Sequence, residues 1–586
     1  MKIVLVTPPL LQPNTPYAAT PVLTGWLRSL GHDAVQTDLS LELLLRLFSK
    51  EGLVALSEEM GLEPESVGAY IETIDEVIAF LQGDHPEDAE RIAVRGGLPE
   101  GEHLARAYAQ EEQLGWGFRG LSTEERAKYL ASLYLDDLAD AAALLDPAFG
   151  FSRYAEKLAA SLPSFAPLHE ALEQSDSLFI DWLEELTEQA LSEHTPEMVA
   201  LTVPFPGCLL GALIIARRIK QLQPSVHITM GGGYVNTELR RLRDPAIFEY
   251  VDTITLDSGF LPLERLASGA PPSEWVRTFA VEEGKVRFFD CGAEEPAHNT
   301  LPPPSYHGLS LERYFGMAET LNPVTNLWSD GRWNKLVLAH GCCWSRCAFC
   351  DTSIDYICRY DPATPATICN WIEEVMQQSG FNGFHFVDEA LPPLLLDGLC
   401  DEILRRGLQI EWWGNIRFEK RFSIPLIQKM AVAGCIAVTG GLETCCDRTL
   451  KLMRKGITVE QAVRVLNDCA DAGILTHAYL MYGFPTQTLE ETQQALEIVR
   501  RLFDEGALHS AYWHRFALTA HSDISQHPEH YSIEIDPLPE ADFALNEIPF
   551  RCHFDHDLAA VGKSLKAAVY NYQLGVGLDL PVEEWF

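Results

Sequence analysis

The sequence is short of positive charge and of long apolar runs, and both shortages limit what the protein can be. Lysine and arginine number 44 against 84 aspartates and glutamates, so the formal net charge is -40. Such a field repels polyanions, which argues against nucleic acid as a partner. The most apolar internal stretch, 208–216, falls far short of the ~20 residues that span a bilayer, and Arg217 and Arg218 end it.

A secretory signal and a disulfide framework are also missing from the sequence. The opening MKIVLVTPPLL has one lysine and a short apolar run that Pro8 and Pro9 interrupt, and it lacks a small-residue cleavage site. Of the 14 cysteines, three fall in one tight cluster. This usage favours a metal site over disulfides, because a reducing cytosol keeps the other thiols free. We therefore expect a cytoplasmic protein without a membrane span.

Strand and helix patterns in the first half of the chain predict a doubly wound α/β domain. KIVLV, a helix ending near Leu30, and DAVQTD open the sheet, and MVALTVP, VHITMGGG and VDTITLD continue it. Between these two parts the chain is rich in Ala, Leu and Glu with helical periodicity, which indicates a helical insertion. We predict a Rossmann-like domain over 1–270 with the insertion at about 41–193, and then a connector over 271–330.

The second half predicts a partial barrel of the TIM type. From Asn334 onward six strand candidates alternate with helices: KLVLAH, GFHFVD, IEWWGN, CIAVTG, THAYLMYG and SAYWHRF. Repeated βα units with polar residues at the strand ends are typical of such barrels. The prediction is a (β/α)6 barrel over 331–525, followed by a C-terminal extension over 526–586.

The segment AHGCCWSRCAFCDTS carries the most specific motif. Cys343, Cys347 and Cys350 stand three and then two residues apart, in the loop after the first barrel strand. Three thiolates can hold one [4Fe-4S] cluster, which normally takes four ligands, so that one iron stays open for the amino and carboxylate groups of S-adenosylmethionine. A zinc knuckle is the alternative, but zinc usually takes two pairs of ligands and no second pair follows at a suitable distance. Cys342 precedes the pattern and is interpreted as a packed thiol.

This loop, with the aromatic Phe349 before its last cysteine, resembles the signature loop of the radical S-adenosylmethionine (radical SAM) superfamily, and the resemblance extends over residues 305–525. It implies cofactor-binding residues at the ends of successive strands: Phe349, Asp388, Glu389, Arg417, Gly440, Gly441, Glu443, Gly483 and Pro485. In the family such positions contact the adenine, the ribose and the methionine, while solvated strand ends and a plain barrel turn are the alternatives. Cys445 and Cys446 depart from the small polar residues usual there, which leaves a thiol role open.

The N-terminal segments, with VALTVPFPG, the turn Gly231, Gly232, Gly233 and VDTITLDSG, resemble the cobalamin-binding domain fused to many radical SAM enzymes. A glycine turn at the carboxyl end of a parallel strand lets a ligand approach the backbone. The loop after the first strand has no Asp-x-His-x-x-Gly, so a bound cobalamin would lack a histidine ligand from that motif. A domain that no longer binds a corrin and serves substrate binding or packing is the alternative.

Together the two resemblances imply a cobalamin-dependent radical SAM methyltransferase that acts on an unactivated carbon of a small-molecule or peptide substrate. A reducing electron donor such as flavodoxin or ferredoxin would then be needed. Two alternatives stay open: radical cyclisation, rearrangement or oxidation without methyl transfer, and a non-catalytic iron-sulfur redox protein. A radical modifier of transfer RNA would need a basic surface, which the charge of -40 disfavours.

Overall fold

Two mainly parallel sheets organise the protein, whose computed structural model describes residues 1–114, 121–150, 162–174, 177–537 and 541–586. The strands are β1 (Lys2–Thr7), β2 (Asp33–Asp38), β3 (Met198–Thr202), β4 (His227–Gly231), β5 (Thr253–Thr255), β6 (Thr278–Glu282), β7 (Lys285–Phe289), β8 (Trp333–Leu336), β9 (Ala339–His340), β10 (Asp361–Pro362), β11 (Gly383–Leu391), β12 (Glu411–Ile416), β13 (Cys435–Glu443), β14 (Leu475–Tyr482), β15 (Ser510–Arg515), β16 (Glu534–Ile535) and β17 (Phe550–Arg551).

Helices cover the faces of these sheets. The described helices are α1 (Ala19–Ser29), α2 (Leu39–Leu47), α3 (Lys50–Glu59), α4 (Pro64–Gln82), α5 (Ala89–Ile92), α6 (Glu102–Leu114), α7 (Thr123–Leu145), α8 (Ala166–Gln174), α9 (Leu178–His194), α10 (Leu209–Leu222), α11 (Gly233–Glu238), α12 (Phe260–Ala267), α13 (Asp355–Cys358), α14 (Pro365–Ser379), α15 (Pro393–Arg406), α16 (Ile424–Val432), α17 (Asp447–Leu452), α18 (Val459–Asp471), α19 (Leu489–Asp504), α20 (Asp523–Gln526) and α21 (Leu558–Gln573). None of them is long and apolar enough to cross a membrane.

The first sheet has the strand order β2-β1-β3-β4-β5-β6-β7. Strands β1 to β5 are parallel, as the doubly wound pattern predicts, whereas β6 and β7 are antiparallel. The prediction of a connector over 271–330 is therefore wrong for 278–289, which extend the sheet of the N-terminal domain beyond 270. Glu283 and Gly284 join the two strands with φ of 51° and 74°, the conformation of a tight hairpin turn. Glutamate rarely adopts this conformation, so the sequence signal for the hairpin is weak.

The helices between β2 and β3 pack directly on the first sheet. Leu44, Leu130 and Leu183 from three of these helices share one hydrophobic core with Val4 of β1 and Leu213 of α10. The predicted insertion is thus a helical layer of the N-terminal domain and has no separate core in the described residues. Its parts at 115–120, 151–161 and 175–176 lie outside those residues.

The second sheet contains six parallel strands in the order β15-β14-β13-β12-β11-β8. Large residues such as Phe386 and Trp412 face outward and pack against the surrounding helices. On the inner face, Trp413 packs with Trp333 and with Leu327, which belongs to the segment before β8. That segment therefore closes the base of the sheet, and the carboxyl ends of the strands remain as the ligand-binding side.

Candidate active site

Asp388 holds the chain at the point where it leaves β8 and enters the cysteine loop. Its carboxylate, 3% exposed, accepts hydrogen bonds from the backbone N–H of Leu338 at 2.9 Å and of Ala339 at 2.7 Å. Burial raises the pKa of Asp388 to about 7, and these two hydrogen bonds partly oppose the shift. Both oxygens already have backbone partners. The geometry thus gives Asp388 a loop-positioning role, and the neighbouring Glu389 is exposed.

The three cysteines of the motif lie along one loop with different surroundings. The Cys343 thiol donates to the carbonyl of Ala390 at 3.4 Å, and Cys347 is buried with 7% of its surface exposed. A hydrogen bond from the Cys350 thiol lowers the pKa of Cys347 to about 7, and the nearby cations Lys455 and Arg417 act in the same direction. A positive environment suits thiolate ligands.

The donor set fits a cubane cluster better than a single ion. In the part of the chain that the structure describes, no three His, Cys, Asp or Glu side chains converge on a point that would hold one metal ion. A cubane does not need such convergence, because each thiolate binds a different iron. Three cysteines on one loop, with cations beside them, therefore suit a [4Fe-4S] cluster with one open iron.

The segment after β13 clamps this loop from the other side. The indole N–H of Trp344 donates to the carbonyl of Arg454 at 2.9 Å, and the backbone N–H of Ala348 donates to Met453 at 2.9 Å. The guanidinium of Arg417, at the end of β12, lies 4.2 Å from the centroid of the Trp344 ring. The loop conformation thus depends on residues about a hundred positions downstream.

A buried ion pair joins the end of β13 to the same segment. Lys455 donates to the Glu443 carboxylate at 2.6 Å, and each side chain is only 10% exposed. Burial alone would lower the pKa of Lys455, but Glu443 and Cys347 outweigh burial, so that the pKa is raised and the lysine stays charged. The ammonium also lies 5.9 Å from the centroid of the Phe349 ring. A Cβ on Gly441 would lie 2.1 Å from Glu443 Oε1, so glycine is required for this arrangement.

The N-terminal domain reaches the site through the loop after β1. Burial raises the pKa of Tyr17 to about 12, and the thiol of Cys208 and the carboxylate of Glu389 add to the shift, so that Tyr17 interacts electrostatically with the end of β11. Tyr17 also packs edge-on against Phe205 at 6.4 Å between ring centroids. Burial raises the pKa of Glu389 as well, although its surface is accessible to water. Glu389 therefore interacts with the N-terminal domain while its surface stays accessible to water.

Apart from Glu389, described above, the predicted cofactor-binding residues fall into three groups. Phe349, Arg417, Gly441 and Glu443 meet around Lys455 and Trp344, while Phe349 also packs on the hydrophobic cluster that contains Phe484. The buried Gly483 and Pro485 flank Phe484 at the end of β14. A third group takes no part in this arrangement: Asp388, Gly440, Gly231, Gly232 and Gly233.

Close backbone packing accounts for three glycines of that third group, Gly440, Gly232 and Gly233. A Cβ on Gly440 would lie 2.5 Å from the carbonyl oxygen of Ile416, on β12. In the N-terminal domain, a Cβ on Gly232 would lie 2.5 Å from the oxygen of Val203, and one on Gly233 would lie 2.7 Å from that of Pro204. Their freedom from a side chain lets strands and loops approach each other, so these glycines are needed whether or not a ligand binds there.

Sequence reasoning missed Lys455 and Trp344, which connect most of the site. Lys455 stands in DRTLKLMRKGIT next to Gly456, whose φ of 75° marks a turn. A glycine after a short helix was a usable signal that the chain turns back toward the cysteine loop. Nothing local to Trp344 indicated that it would contact this turn.

Gly456 allows a test of that contact, because it lies against the Trp344 ring. A Cβ at Gly456 would lie 2.0 Å from Trp344 Cζ2, whereas one at Gly380, with the same φ of 75°, would meet nothing within 4 Å. Both alanine variants carry the backbone strain of a positive φ, roughly 1–2 kcal/mol. We expect Gly456→Ala to lose additional stability in urea unfolding and to retain less iron after reconstitution. Equal losses in both variants would show that the ring contact contributes nothing.

Part of this chain matches a known family. Residues 337–499 match the model of the radical SAM superfamily. An uncharacterized methyltransferase of Pyrococcus horikoshii is 23% identical over 349 residues, which cover 56% of this chain and 71% of that protein.

Two solved structures share the fold. The methyltransferase TsrM from Kitasatospora setae, with cobalamin and a [4Fe-4S] cluster bound, superposes with a TM-score of 0.54 at 13% identity, over 97% of this chain and 88% of its own. The cobalamin-dependent enzyme OxsB, with aqua-cobalamin bound, gives 0.51 at 15% identity, over 67% of this chain and 60% of its own. At these identities the likeness concerns the fold alone. Residues 337–499, which contain the three-cysteine loop and the strand ends around it, therefore form a radical SAM domain, the kind of domain that uses a [4Fe-4S] cluster and S-adenosylmethionine.

Proposed function

We propose that the protein is a cobalamin-dependent radical SAM methyltransferase that methylates an unactivated carbon of a small-molecule or peptide substrate. The observation that carries the proposal is the electrostatic effect of Glu389, at the end of β11, on Tyr17, in the loop after β1, which indicates that the carboxyl ends of the two sheets are turned toward each other. Parallel α/β domains bind ligands at these ends. A corrin on the first sheet and S-adenosylmethionine on the second would therefore share one cleft.

Several residues of the second sheet and its loops would contribute to cofactor binding. Cys343, Cys347 and Cys350 would hold the cluster. Lys455, charged and paired with Glu443, keeps positive charge next to Cys347. When bound, the cluster supplies the electron that cleaves S-adenosylmethionine, and the corrin carries the methyl group.

The N-terminal domain would contribute an aromatic surface to the corrin. The loop after β1 contains no histidine, and Tyr17 is its aromatic residue. Phe205, which follows β3, is 55% exposed and packs beside Tyr17. An exposed aromatic side chain at the carboxyl edge of a parallel sheet suits a flat macrocycle.

Anaerobic purification with hydroxocobalamin, followed by quantitation of iron, sulfide and corrin, tests the proposal. We expect about four irons and four sulfides per chain, as one cubane requires, together with one corrin. With dithionite and trideuteromethyl S-adenosylmethionine, 5′-deoxyadenosine and S-adenosylhomocysteine should both form. Four irons without corrin would contradict the methyltransferase and leave a radical enzyme of another kind. Failure to bind iron would contradict both.

A further inference from the structure

The inner face of the second sheet is more accessible than its outer face. Outward-facing Phe386 and Ala478 are fully buried, whereas the inward-facing side chains beside them on the same strands, His385 and Tyr479, keep part of their surface accessible. At the base, the Trp328 ring lies 5.0 Å from that of Trp413 and closes the space. The accessible surface therefore lines an internal space open toward the strand ends. We call it the inner chamber, lined by Lys335, His385, Asn415, Tyr479 and Tyr512.

Lys335 brings an unpaired positive charge into the inner chamber. It lies on β8 in register with His385, and its ammonium makes no hydrogen bond or ion pair within the described chain. The carboxylate of Asp38 acts on it only from beyond ion-pair distance. The two carboxylate oxygens of Asp38 accept hydrogen bonds from the N–H of Leu41 at 3.0 Å and from the hydroxyl of Tyr314 at 2.8 Å. Lys335 is partly exposed, and burial lowers its pKa to about 8. A partly desolvated cation without a partner is costly unless a ligand completes it.

The groups around Lys335 do not compensate this charge. Burial, and then Lys335 itself, lower the pKa of His385 far enough to keep its ring neutral, and that ring stacks on Trp413 at 3.5 Å between centroids. The neighbouring Asn415 already has a partner, since Thr439 donates to its side-chain oxygen. The chamber thus combines a flat aromatic wall with the Lys335 ammonium, which pairs with no group of the described residues.

We propose that Lys335 binds a carboxylate group of the substrate, so that the substrate is a monocarboxylic acid with an apolar or aromatic body. This inference rests on the proposed function, since it names the substrate class of the same site. One ammonium has one charge and three donors, which match a carboxylate, whereas a phosphate dianion would leave a second charge uncompensated. From the level of Lys335 to Glu389 the strand rises by about 13 Å, at ~3.3 Å for each of four residues. The reacting carbon would therefore lie well away from the carboxylate.

Binding of a simple carboxylate to the reconstituted full-length protein tests the inference. The probe is phenylacetate, and the neutral phenylacetamide is its matched comparison, both measured by isothermal titration calorimetry. We expect phenylacetate to bind at least about tenfold tighter than the amide, and Lys335→Met to remove this preference, since a charge-assisted hydrogen bond contributes about 1.5–3 kcal/mol. Lys566→Met is the control, because Lys566 is also a lysine beside the inner chamber, with its ammonium 5.5 Å from the centroid of the Tyr512 ring. Its removal should leave the preference intact.

The outcomes separate this inference from the proposed function. Equal binding of acid and amide, binding of neither, or an unchanged preference in Lys335→Met would overturn it, and tighter binding of phenyl phosphate than of phenylacetate would overturn the carboxylate class. Lys335→Arg should retain the preference, which covers the case that the methionine variant misfolds. Reductive cleavage of S-adenosylmethionine without substrate is measured in parallel. If S-adenosylmethionine is cleaved but phenylacetate binds no tighter than phenylacetamide, the inference fails and the proposed function stands. If S-adenosylmethionine is not cleaved, the proposed function is contradicted whatever the binding result.

Discussion

Replacing Cys347 with alanine is expected to abolish cluster assembly and cleavage of S-adenosylmethionine together. Cys347 is the buried member of the three cysteines, and the positive charges of Lys455 and Arg417 favour its thiolate. A [4Fe-4S] cluster normally has four protein ligands, and here the motif supplies only three cysteines. The two thiolates left in the variant would therefore hold the cluster poorly. Iron content should fall from about four per chain to near zero, and 5′-deoxyadenosine should no longer form.

Cys342→Ala is the matched control for this substitution. Cys342 lies in the same loop, and its backbone N–H, which alanine retains, donates to the carbonyl of Ile357 at 3.1 Å. The control should therefore keep both iron and cleavage. Cleavage that survives in Cys347→Ala would refute the assignment of the cluster ligands, and loss of iron in Cys342→Ala would show that the loop tolerates no change.

Lys455→Met is expected to be the most destabilising substitution in the site. Glu443 would remain buried without its 2.6 Å partner, and breaking a buried pair from one side typically costs about 3–5 kcal/mol. The free energy of unfolding, measured in urea on the protein without cofactors, should fall by about that amount. Reconstituted Lys455→Met should also bind less iron, because the cation beside Cys347 is gone.

The double variant Lys455→Met/Glu443→Gln separates the lost charge pair from lost packing. It leaves no unpaired charge, so we expect it to recover a large part of the stability that Lys455→Met loses. Lys429→Met is the surface control, because Lys429 pairs with Asp397 and Asp401, both half-exposed or more, and should lose far less. A double variant no more stable than the single one would mean that packing, and not charge, makes Lys455 necessary.

The cysteine motif and the class of the fold were readable because both are local in the chain. The three thiols stand within one loop, and alternating strand and helix patterns depend on neighbouring residues. The six strands of the second sheet were found in this way, but the first was misplaced: β8 is Trp333–Leu336, and Ala339 and His340 of the predicted KLVLAH form β9, which pairs with β10. The β6–β7 hairpin was missed, because Glu283 takes a positive φ that glutamate seldom adopts.

The residue sequence alone thus determines the two α/β sheets, the helical layer between β2 and β3, and the loop for the cluster. Tertiary structure decides which side chains surround that loop, since Trp344 and Arg454 are 110 positions apart and meet only after the second sheet has formed. It also decides that Asp388 holds the backbone, and that Lys335 stands unpaired in the inner chamber. Local patterns follow from neighbouring residues, whereas the pairing of buried charges depends on which distant segments the packing of the sheets brings together.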